Sequence, residues 1–190
     1  VFVVVIGLII SEKVNSAAAA LAGAMALVVT GVMSAHKALS YIDFNTIGLL
    51  VGMMVLVAII RQSGLFEYVA IKAAKMVHGD PWKIMIAFIL LTAVLSGILD
   101  NVTTVLLVGP MTIAIAKMLE INPVPFLMTQ ILASNVGGTA TLIGDPPNIM
   151  IGSAANLSFV DFLKNTGLAV ALVIVFMIVM MRFVYKKEIE

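Results

Sequence analysis

Long apolar runs are the feature of this sequence that most restricts its fold. Of its 190 residues, 62% are hydrophobic and only 11% are charged, whereas about a quarter of the residues in a soluble domain carry a charge. Several runs approach the ~20 residues that a helix needs to cross a bilayer. Because such a chain cannot cover its surface with polar groups, we expect an all-α, multi-span helical membrane protein surrounded by lipid.

Charge and cysteine content exclude several other classes of protein. The net charge is +1 and no basic patch stands out, so we expect no nucleic-acid partner. The sequence has no cysteine for disulfides, thiolate catalysis or metal binding. Its two histidines, His36 and His78, are far apart, whereas a zinc site needs clustered ligands. We therefore expect neither an enzyme nor a cofactor.

The apolar runs and the polar connections between them predict the order of the segments. The chain begins inside an apolar run without an initiator Met, so we expect a piece of a longer protein in which residues 1–63 form scaffold spans. Residues 64–78 mix apolar and charged side chains, a pattern typical of an amphipathic helix at the membrane interface. Residues 82–117 and 123–155 each contain a polar interruption, and residues 166–185 form a last span.

The first interruption, "LDNVTT", places an acid and three other polar side chains within an apolar run. An ionisable side chain at membrane depth costs at least ~2.5 kcal/mol and by default marks an ion or proton path. Asp100 and Asn101, with Thr103 and Thr104, offer oxygen ligands for Na⁺, and the carboxylate can also exchange a proton. The alternative is that Asp100 caps a helix at a surface turn between two full spans.

The second interruption, "SNVGGTATLIGDPPN", breaks a membrane helix near its middle. Its glycine pair weakens the helix and its proline pair removes two amide donors. Two short helices that meet at an unwound centre are typical of transporter binding sites. The alternative is a structural kink in which Asp145 caps a helix that begins at Pro146. The candidate ligands of this stretch are Ser134, Asn135, Gly137, Gly138, Thr139, Thr141, Gly144, Asp145 and Asn148.

Basic residues predict the orientation of the chain. If residues 82–117 return to their starting side and residues 123–155 cross, nine basic residues lie on one face and two, Lys37 and Lys164, on the other. If residues 123–155 fold back instead, the division is seven against four. The positive-inside rule favours the crossing arrangement and makes the richer face, with the basic C-terminal end, cytoplasmic. Counting does not distinguish a re-entrant hairpin at 82–117 from two full spans.

The stretches "LDNVTTVLLVGP" and "NVGGTATLIGDPPN" resemble the Ion Transporter superfamily, in particular its arsenite permease, P-protein and citrate-transporter-like branch. The resemblance extends from about Gly64 to the C-terminus and more weakly back to Val1. It implies a re-entrant helical hairpin with its tip at Asp100–Thr104, facing a discontinuous transmembrane helix with its loop at Gly137–Pro147. It also implies that residues 1–190 are the N-terminal one of two inverted repeats, in a homodimer that works by an elevator-like motion.

The sequence departs from the dicarboxylate members of that branch at both motifs. Those members have Ser-Asn-Thr where this chain has Asp100, Asn101 and Val102, and Gly-Thr-Pro-Pro-Asn where this chain has Asp145 in place of the threonine. Asn101 and Asn148 match the family pattern. Because two extra carboxylates repel a dicarboxylate unless Na⁺ or protons neutralise them, the departures favour the arsenite-permease and P-protein side.

We therefore expect the N-terminal repeat of an ion-coupled secondary transporter of the cytoplasmic membrane, which moves a small anion or oxyacid by alternating access. The predicted ion site, for Na⁺ or H⁺, consists of Asp100, Asn101, Gly137, Gly138 and Asp145. The predicted substrate site consists of Thr103, Thr104, Ser134, Asn135, Thr139, Thr141, Gly144 and Asn148. The alternatives are a Na⁺/H⁺ antiporter that moves no anion and a membrane scaffold subunit that transports nothing.

Overall fold

The computed structural model describes residues 1–77 and 79–189, without the side chains of Glu67, Lys187 and Ile189. His78, one of the two histidines and the last residue of the expected interfacial segment, lies outside the described residues, as does Glu190. Within the described ranges the chain forms eleven α-helices and no strand, which confirms the all-α prediction. The helices divide into two units, Val1–Asn45 and Thr46–Glu190.

The first unit consists of three short helices. They are α1 (Phe2–Ile10), α2 (Ser16–Val29) and α3 (Ala35–Ser40). Asn15 begins α2 because its side chain accepts hydrogen bonds from the amides of Ala17 and Ala18. Helices α1 and α2 approach closely at Gly23, where a Cβ would meet the side chain of Val5. Small residues of this kind let membrane helices pack backbone to backbone.

The second unit contains the remaining helices, apart from the first residues of α4. They are α4 (Phe44–Gln62), α5 (Leu65–Met76), α6 (Pro81–Ser96), α7 (Asn101–Met118), α8 (Val124–Gly138), α9 (Pro146–Ala155), α10 (Phe159–Val184) and α11 (Lys186–Ile189). Among the described residues, α4, α7 and α10 are long and apolar enough to cross a membrane. Large apolar side chains such as Leu168 and Phe176 remain exposed on α10, as expected where the solvent is lipid.

Local signals fix where the helices of this unit begin. The Asp80 carboxylate accepts a hydrogen bond from the Lys83 amide, and Pro81 takes the first position of α6, where no amide donor is needed. Ser158 and Asp161 form a capping box at the start of α10. The sequence "LFEYVAIKAAKM" forms α5 as one continuous helix.

Helices α5, α6, α7, α8 and α10 share one apolar core. The side chains of Met85, Phe88 and Ile89 on α6 are fully buried there, against Val108 of α7 and Ala133 of α8. Burying a side chain of this size contributes ~1.5–3 kcal/mol. A second buried cluster joins α4 and α5 to the end of the α6–α7 connection; its members are Val57, Phe66, Leu99 and Leu107.

Helices α6 and α7 form a helical hairpin whose arms both pack on α8. Helix α6 runs parallel to α8, because Ala93 packs on Gly137 and Gly97 packs on Thr141. The connection between the arms, residues 97–100, therefore lies level with the end of α8.

Helix α7 runs antiparallel to α8. Its first residue, Asn101, is hydrogen-bonded to Asn135 near the end of α8, whereas Thr112, three turns later, is hydrogen-bonded to Gln130. The hairpin tip (Asp100–Thr104) thus meets the irregular segment 139–145 between α8 and α9, which we call the helix break.

The far end of α10 lies beside the start of α6. The Arg182 guanidinium stacks over the Trp82 ring at 5.2 Å from its centroid. The Asn122 amide donates a hydrogen bond of 3.4 Å to the Glu188 carboxylate. The start of α6, the start of α8 and the end of α10 therefore lie at one end of this unit.

Candidate ion and substrate site at the hairpin tip

One side-chain amide joins the hairpin tip to the helix break. Asn101 Nδ2 donates to Asn135 Oδ1 at 2.9 Å and to Asp145 Oδ1 at 3.3 Å. Asn135 lies in the last turn of α8, and Asp145 immediately precedes α9. Three predicted site residues, up to 44 positions apart in the sequence, therefore meet in one hydrogen-bonded group.

Asp100 caps helix α7. Its Oδ1 accepts a hydrogen bond of 2.8 Å from the Thr103 amide, which satisfies one of the free donors at the start of that helix. The carboxyl group is partly exposed. A carboxylate has about four acceptor positions, so the cap leaves capacity for a cation or a proton, and capping and ion binding are compatible roles for this residue.

Asp145 occupies the N-cap position of α9, before Pro146, but its side chain makes no capping hydrogen bond. Its carboxylate instead accepts from Asn101. It lies close enough to Asp100 for the two carboxylates to repel each other. Among the side chains that the structure describes, neither carboxylate has a salt-bridge partner. The site therefore places two carboxylates near each other, with no salt bridge among the described side chains to balance them.

Hydrogen bonds from side chains hold the backbone of the helix break. The Thr141 hydroxyl donates to the Gly97 carbonyl and accepts from the Gly144 amide at 3.1 Å. Asn148 Nδ2 donates to the Thr141 carbonyl at 2.9 Å and to the Gly138 carbonyl at 3.4 Å. Three of the predicted substrate residues thus fix the shape of the break and tie it to the α6–α7 connection.

Close backbone contacts explain the glycines of the break. A Cβ on Gly137 would overlap the backbone of Ala93, and a Cβ on Gly144 would overlap the carbonyls of Gly138 and Ser96. A Cβ on Gly138 would come within 2.9 Å of the Gly144 carbonyl. A side chain at any of these positions would push α6 or the helix break away from α8.

Two cavities are both lined by Asn135. One, of about 260 Å³, lies between α7 and α8 and is lined by Asn101 and Ser134 together with apolar side chains of α7. The other, of about 490 Å³, lies between α8 and α10 and is lined by Thr139, Asn165 and neighbouring residues. Small-ligand sites span about 300–1,000 Å³, so the larger cavity falls within that range and the smaller lies just below it.

The remaining predicted residues lie in different surroundings. Thr103 is half-buried at the tip, and Thr139 is exposed at the end of α8. Ser134 is buried and its carbonyl accepts from the Ser96 hydroxyl at 2.7 Å. Thr104 is fully buried and faces the core. Neither Thr103 nor Thr104 is among the residues that line the two cavities.

Three polar residues near the site were missed by the sequence reasoning. Ser96 precedes the α6–α7 connection and hydrogen-bonds across to α8. Asn165 and Thr166 line the larger cavity, and the Thr166 hydroxyl donates to the Ala140 carbonyl of the break at 3.1 Å. The signal for the second pair was the "NTG" triplet, which interrupts the last apolar run near its start.

Comparison with known proteins agrees with the motif resemblance. An uncharacterised transporter of Mycobacterium tuberculosis is 47% identical over 182 residues, which cover 94% of this chain and 42% of the relative. The 46 kDa membrane protein of Mycobacterium leprae is 48% identical over 167 residues, covering 86% and 39%. The human P protein is 39% identical over 191 residues, covering 95% and 23%.

This chain spans about two fifths of the length of the mycobacterial relatives and less than a quarter of the P protein. The model of the citrate transporter family matches residues 6–190, almost the whole chain. The resemblance predicted from the two motifs is confirmed, and the chain belongs to the citrate transporter family.

Proposed function

We propose that the complete protein is an ion-coupled secondary active transporter, which moves a small anion or oxyacid across the cytoplasmic membrane by alternating access. The coupling ion, Na⁺ or H⁺, binds at Asp100 and Asn101, and the substrate binds beside it. The observation that carries the proposal is the bridge from Asn101 to Asn135 and Asp145. Polar side chains that converge where a helix is broken are the pattern of transporter sites.

Helix lengths support a re-entrant hairpin. Helix α8 has 15 residues, which at ~1.5 Å per residue make about 22 Å. Helix α6 has 16 residues and ends at the same level. If α8 and α9 together cross the bilayer, the hairpin tip lies within the hydrocarbon, because α8 alone is shorter than the ~30 Å core.

Contacts at the end of α10 support the crossing arrangement. The stacking of Arg182 on Trp82 brings the basic C-terminal end to the same face as the start of α6 and Lys83. That face carries nine of the eleven basic residues in the crossing arrangement. By the positive-inside rule it is the cytoplasmic face.

The two carboxylates bear on the class of substrate. The family description names citrate, and a citrate-like anion would meet the repulsion of Asp100 and Asp145. Cations or protons must neutralise these groups before such an anion binds. A neutral oxyacid such as arsenite meets no such barrier, so the site favours a small oxyacid or an anion that enters with its coupling ions.

A Na⁺/H⁺ antiporter is the second candidate. The observation that favours it is the pair of carboxylates, Asp100 and Asp145, which can bind cations. Among the described side chains, neither carboxylate forms a salt bridge with a basic residue that could hold an anion. A membrane scaffold is less well supported, because a scaffold gains nothing from acids at membrane depth.

Uptake into proteoliposomes under imposed Na⁺ or pH gradients tests the proposal. Asp100→Asn removes the charge but keeps the cap, because asparagine caps helices as well as aspartate does. We expect this variant to fold and to lose gradient-driven uptake. The matched control is Asp80→Asn, the same change at the cap of α6 outside the site.

Uptake by Asp100→Asn at the wild-type rate, with coupling intact, would show that Asp100 does not hold the ion. Exchange of Na⁺ for H⁺ without any requirement for an anion would favour the antiporter. The absence of any flux from the complete protein would favour the scaffold.

A further inference from the structure

A third cavity lies at the hairpin base, by which we mean the start of α6 and the end of α7, opposite the hairpin tip. It has a volume of about 440 Å³ and lies between these two helices and α5. Lys75 and Gly79 line it together with six apolar side chains, those of Ile71, Ala74, Ile84, Ile115, Met118 and Leu119. None of these residues belongs to the ion or substrate site described above.

The turn between α5 and α6 closes one side of this cavity. A Cβ on Gly79, in that turn, would lie 3.8 Å from the side chain of Leu119, the residue that caps the end of α7. Ile84 lies in the first turn of α6, two residues after Trp82. Both arms of the hairpin therefore contribute to the cavity where they begin and end.

The hairpin base lies at a membrane interface in either arrangement of residues 82–117. A re-entrant hairpin enters and leaves the bilayer on one side, and two full spans begin and end on one side. Trp82 lies at this base, and tryptophan is enriched where membrane meets water. The cavity is therefore at the depth where lipid headgroups and the first part of their acyl chains are found.

The lining of the cavity suits an acyl chain. Ile84 forms its floor and is 2% exposed, whereas Met118 at its rim is 83% exposed. Apart from Lys75, the lining consists of apolar side chains and one glycine. A sugar, a nucleotide or a small carboxylic acid would leave most of its polar groups without a partner there, at a cost for each buried group.

Lys75 gives the cavity a positive charge. It lies in the last turn of α5, and among the side chains that the structure describes it has no salt-bridge partner. The nearby Lys83 is paired with Asp80 at 3.4 Å. Lys117 and Glu120 carry opposite charges on either side of the end of α7. The charge of Lys75 is therefore the one left for a ligand that occupies the cavity.

We propose that the cavity at the hairpin base binds an anionic phospholipid, with an acyl chain in its apolar part and the phosphate paired with the Lys75 ammonium. Basic pockets between transmembrane helices bind anionic headgroups in this way. A zwitterionic phospholipid carries its own ammonium group, which competes with Lys75 for the phosphate. The proposal is independent of the proposed transport function, because the cavity shares no residue with the hairpin tip or the helix break.

Thermal unfolding of the purified complete protein in detergent tests the proposal. Phosphatidylglycerol and phosphatidylcholine with the same acyl chains are added in increasing amounts. A ligand that binds the folded state raises the unfolding midpoint, and this one would contact α5, α6 and α7 together. We expect phosphatidylglycerol to raise the midpoint of the wild type more than phosphatidylcholine does. Inorganic phosphate, which carries charge without an acyl chain, should not raise it.

Lys75→Gln removes the charge and keeps most of the side chain. We expect the apparent Kd for phosphatidylglycerol to rise about fivefold or more, the effect of one lysine at an anionic lipid, with no change for phosphatidylcholine. The matched control is Lys72→Gln on the same helix. Lys72 lies over the Tyr68 ring at 5.7 Å from its centroid and does not line the cavity. Its variant should bind phosphatidylglycerol as the wild type does.

A second pair of variants tests the rim. Met118→Glu places a negative charge at an exposed lining position, where it would pair with Lys75 and repel the phosphate. We expect the same loss of phosphatidylglycerol binding as in Lys75→Gln. Met118→Gln has a side chain of the same size without the charge and should retain wild-type selectivity.

Equal responses of the wild type to the two phospholipids would overturn the proposal, and so would wild-type affinity for phosphatidylglycerol in Lys75→Gln. A response to inorganic phosphate as large as that to phosphatidylglycerol would show an anion site that takes no lipid. No response to any of the three would show that another part of the complete chain fills the cavity. Asp100→Asn separates the two proposals, because it should lose uptake and keep its response to phosphatidylglycerol.

Discussion

The side-chain amide of Asn101 lies 2.9 Å from Asn135 Oδ1 and 3.3 Å from Asp145 Oδ1. It is the direct polar link between the hairpin tip and both sides of the helix break. A relative movement of α7 and α8 must break or lengthen these hydrogen bonds. If the coupling ion binds here as proposed, it therefore controls whether the tip and the break stay together.

Replacing Asn101 with alanine should impair ion binding more than folding. A hydrogen bond to a charged group contributes ~1.5–3 kcal/mol, and ~1.4 kcal/mol corresponds to a tenfold change in affinity. We expect the concentration of coupling ion needed for half-maximal uptake to rise at least tenfold. The control is Val94→Ala on α6, an exposed apolar residue that lines neither cavity. Equal ion dependence in both variants would contradict the role of Asn101.

Asp145→Asn should stabilise the ion-free protein and weaken its response to the ion. The variant removes the repulsion from Asp100, and it loses no cap because the Asp145 side chain makes no capping hydrogen bond. We expect the thermal unfolding midpoint without Na⁺ to rise by about 2 °C, roughly the effect of 1 kcal/mol in a chain of this size. Na⁺ should then raise the midpoint less than in the wild type, and an equal rise would refute the ligand role.

The sequence predicted which residues meet but not how each of them is used. Polar residues in apolar runs stand out by composition, so Asp100, Asn101 and Asp145 were identified without a structure. Whether an aspartate before a helix caps it depends on the direction of its side chain. That direction follows from packing, which is why the structure shows Asp100 as a cap and Asp145 without a capping bond.

The sequence alone also did not predict which of the two neighbouring threonines is buried. Thr103 and Thr104 are adjacent, yet Thr104 is fully buried whereas Thr103 is half-buried. The periodicity of α7 is weak, since apolar residues surround the helix on all sides. In a membrane helix apolar residues face both lipid and core, so hydrophobic pattern alone does not distinguish the buried face.

Asp80 should make the stability of the protein sensitive to acid. The hydrogen bond from the Lys83 amide holds the pKa of the Asp80 carboxyl below its ordinary value of 3.8. A lowered pKa stabilises the folded state above the ordinary value, and this contribution is lost as the pH falls through the folded value. Unfolding midpoints from about pH 5 down to about pH 2 should fall less steeply in Asp80→Asn, which keeps the cap without titrating. An unchanged slope would contradict this role.

Thr141→Val should destabilise the helix break. The variant leaves the Gly97 carbonyl and the Gly144 amide without their shared partner in a buried place, and each such loss costs ~1–3 kcal/mol. We expect the unfolding midpoint to fall by several degrees. Thr139→Val is the control, because that hydroxyl donates only within α8 and is exposed. Equal stability of both variants would show that Thr141 does not hold the break.

Gly137→Ala should push α6 away from α8 and weaken ion binding at the site, although Gly137 itself is not expected to contact the ion through a side chain. Its Cβ would overlap the backbone of Ala93, which cannot move aside as a flexible side chain can. Overpacking of this kind costs ~1–3 kcal/mol, and the shift also moves Asn135, two residues earlier on α8, relative to Asn101. We therefore expect a lower unfolding midpoint together with weaker ion binding.

Gly109→Ala is the matched control for Gly137→Ala. Gly109 is also a buried helical glycine, but its Cβ would meet only the tip of Leu127 at 3.6 Å, an ordinary contact. Because alanine favours the helix by up to ~1 kcal/mol over glycine, this variant should be as stable as the wild type or more so, with unchanged ion binding. If both variants had the same stability and ion binding, helix propensity rather than the contact between α6 and α8 would determine the effect of replacing these glycines.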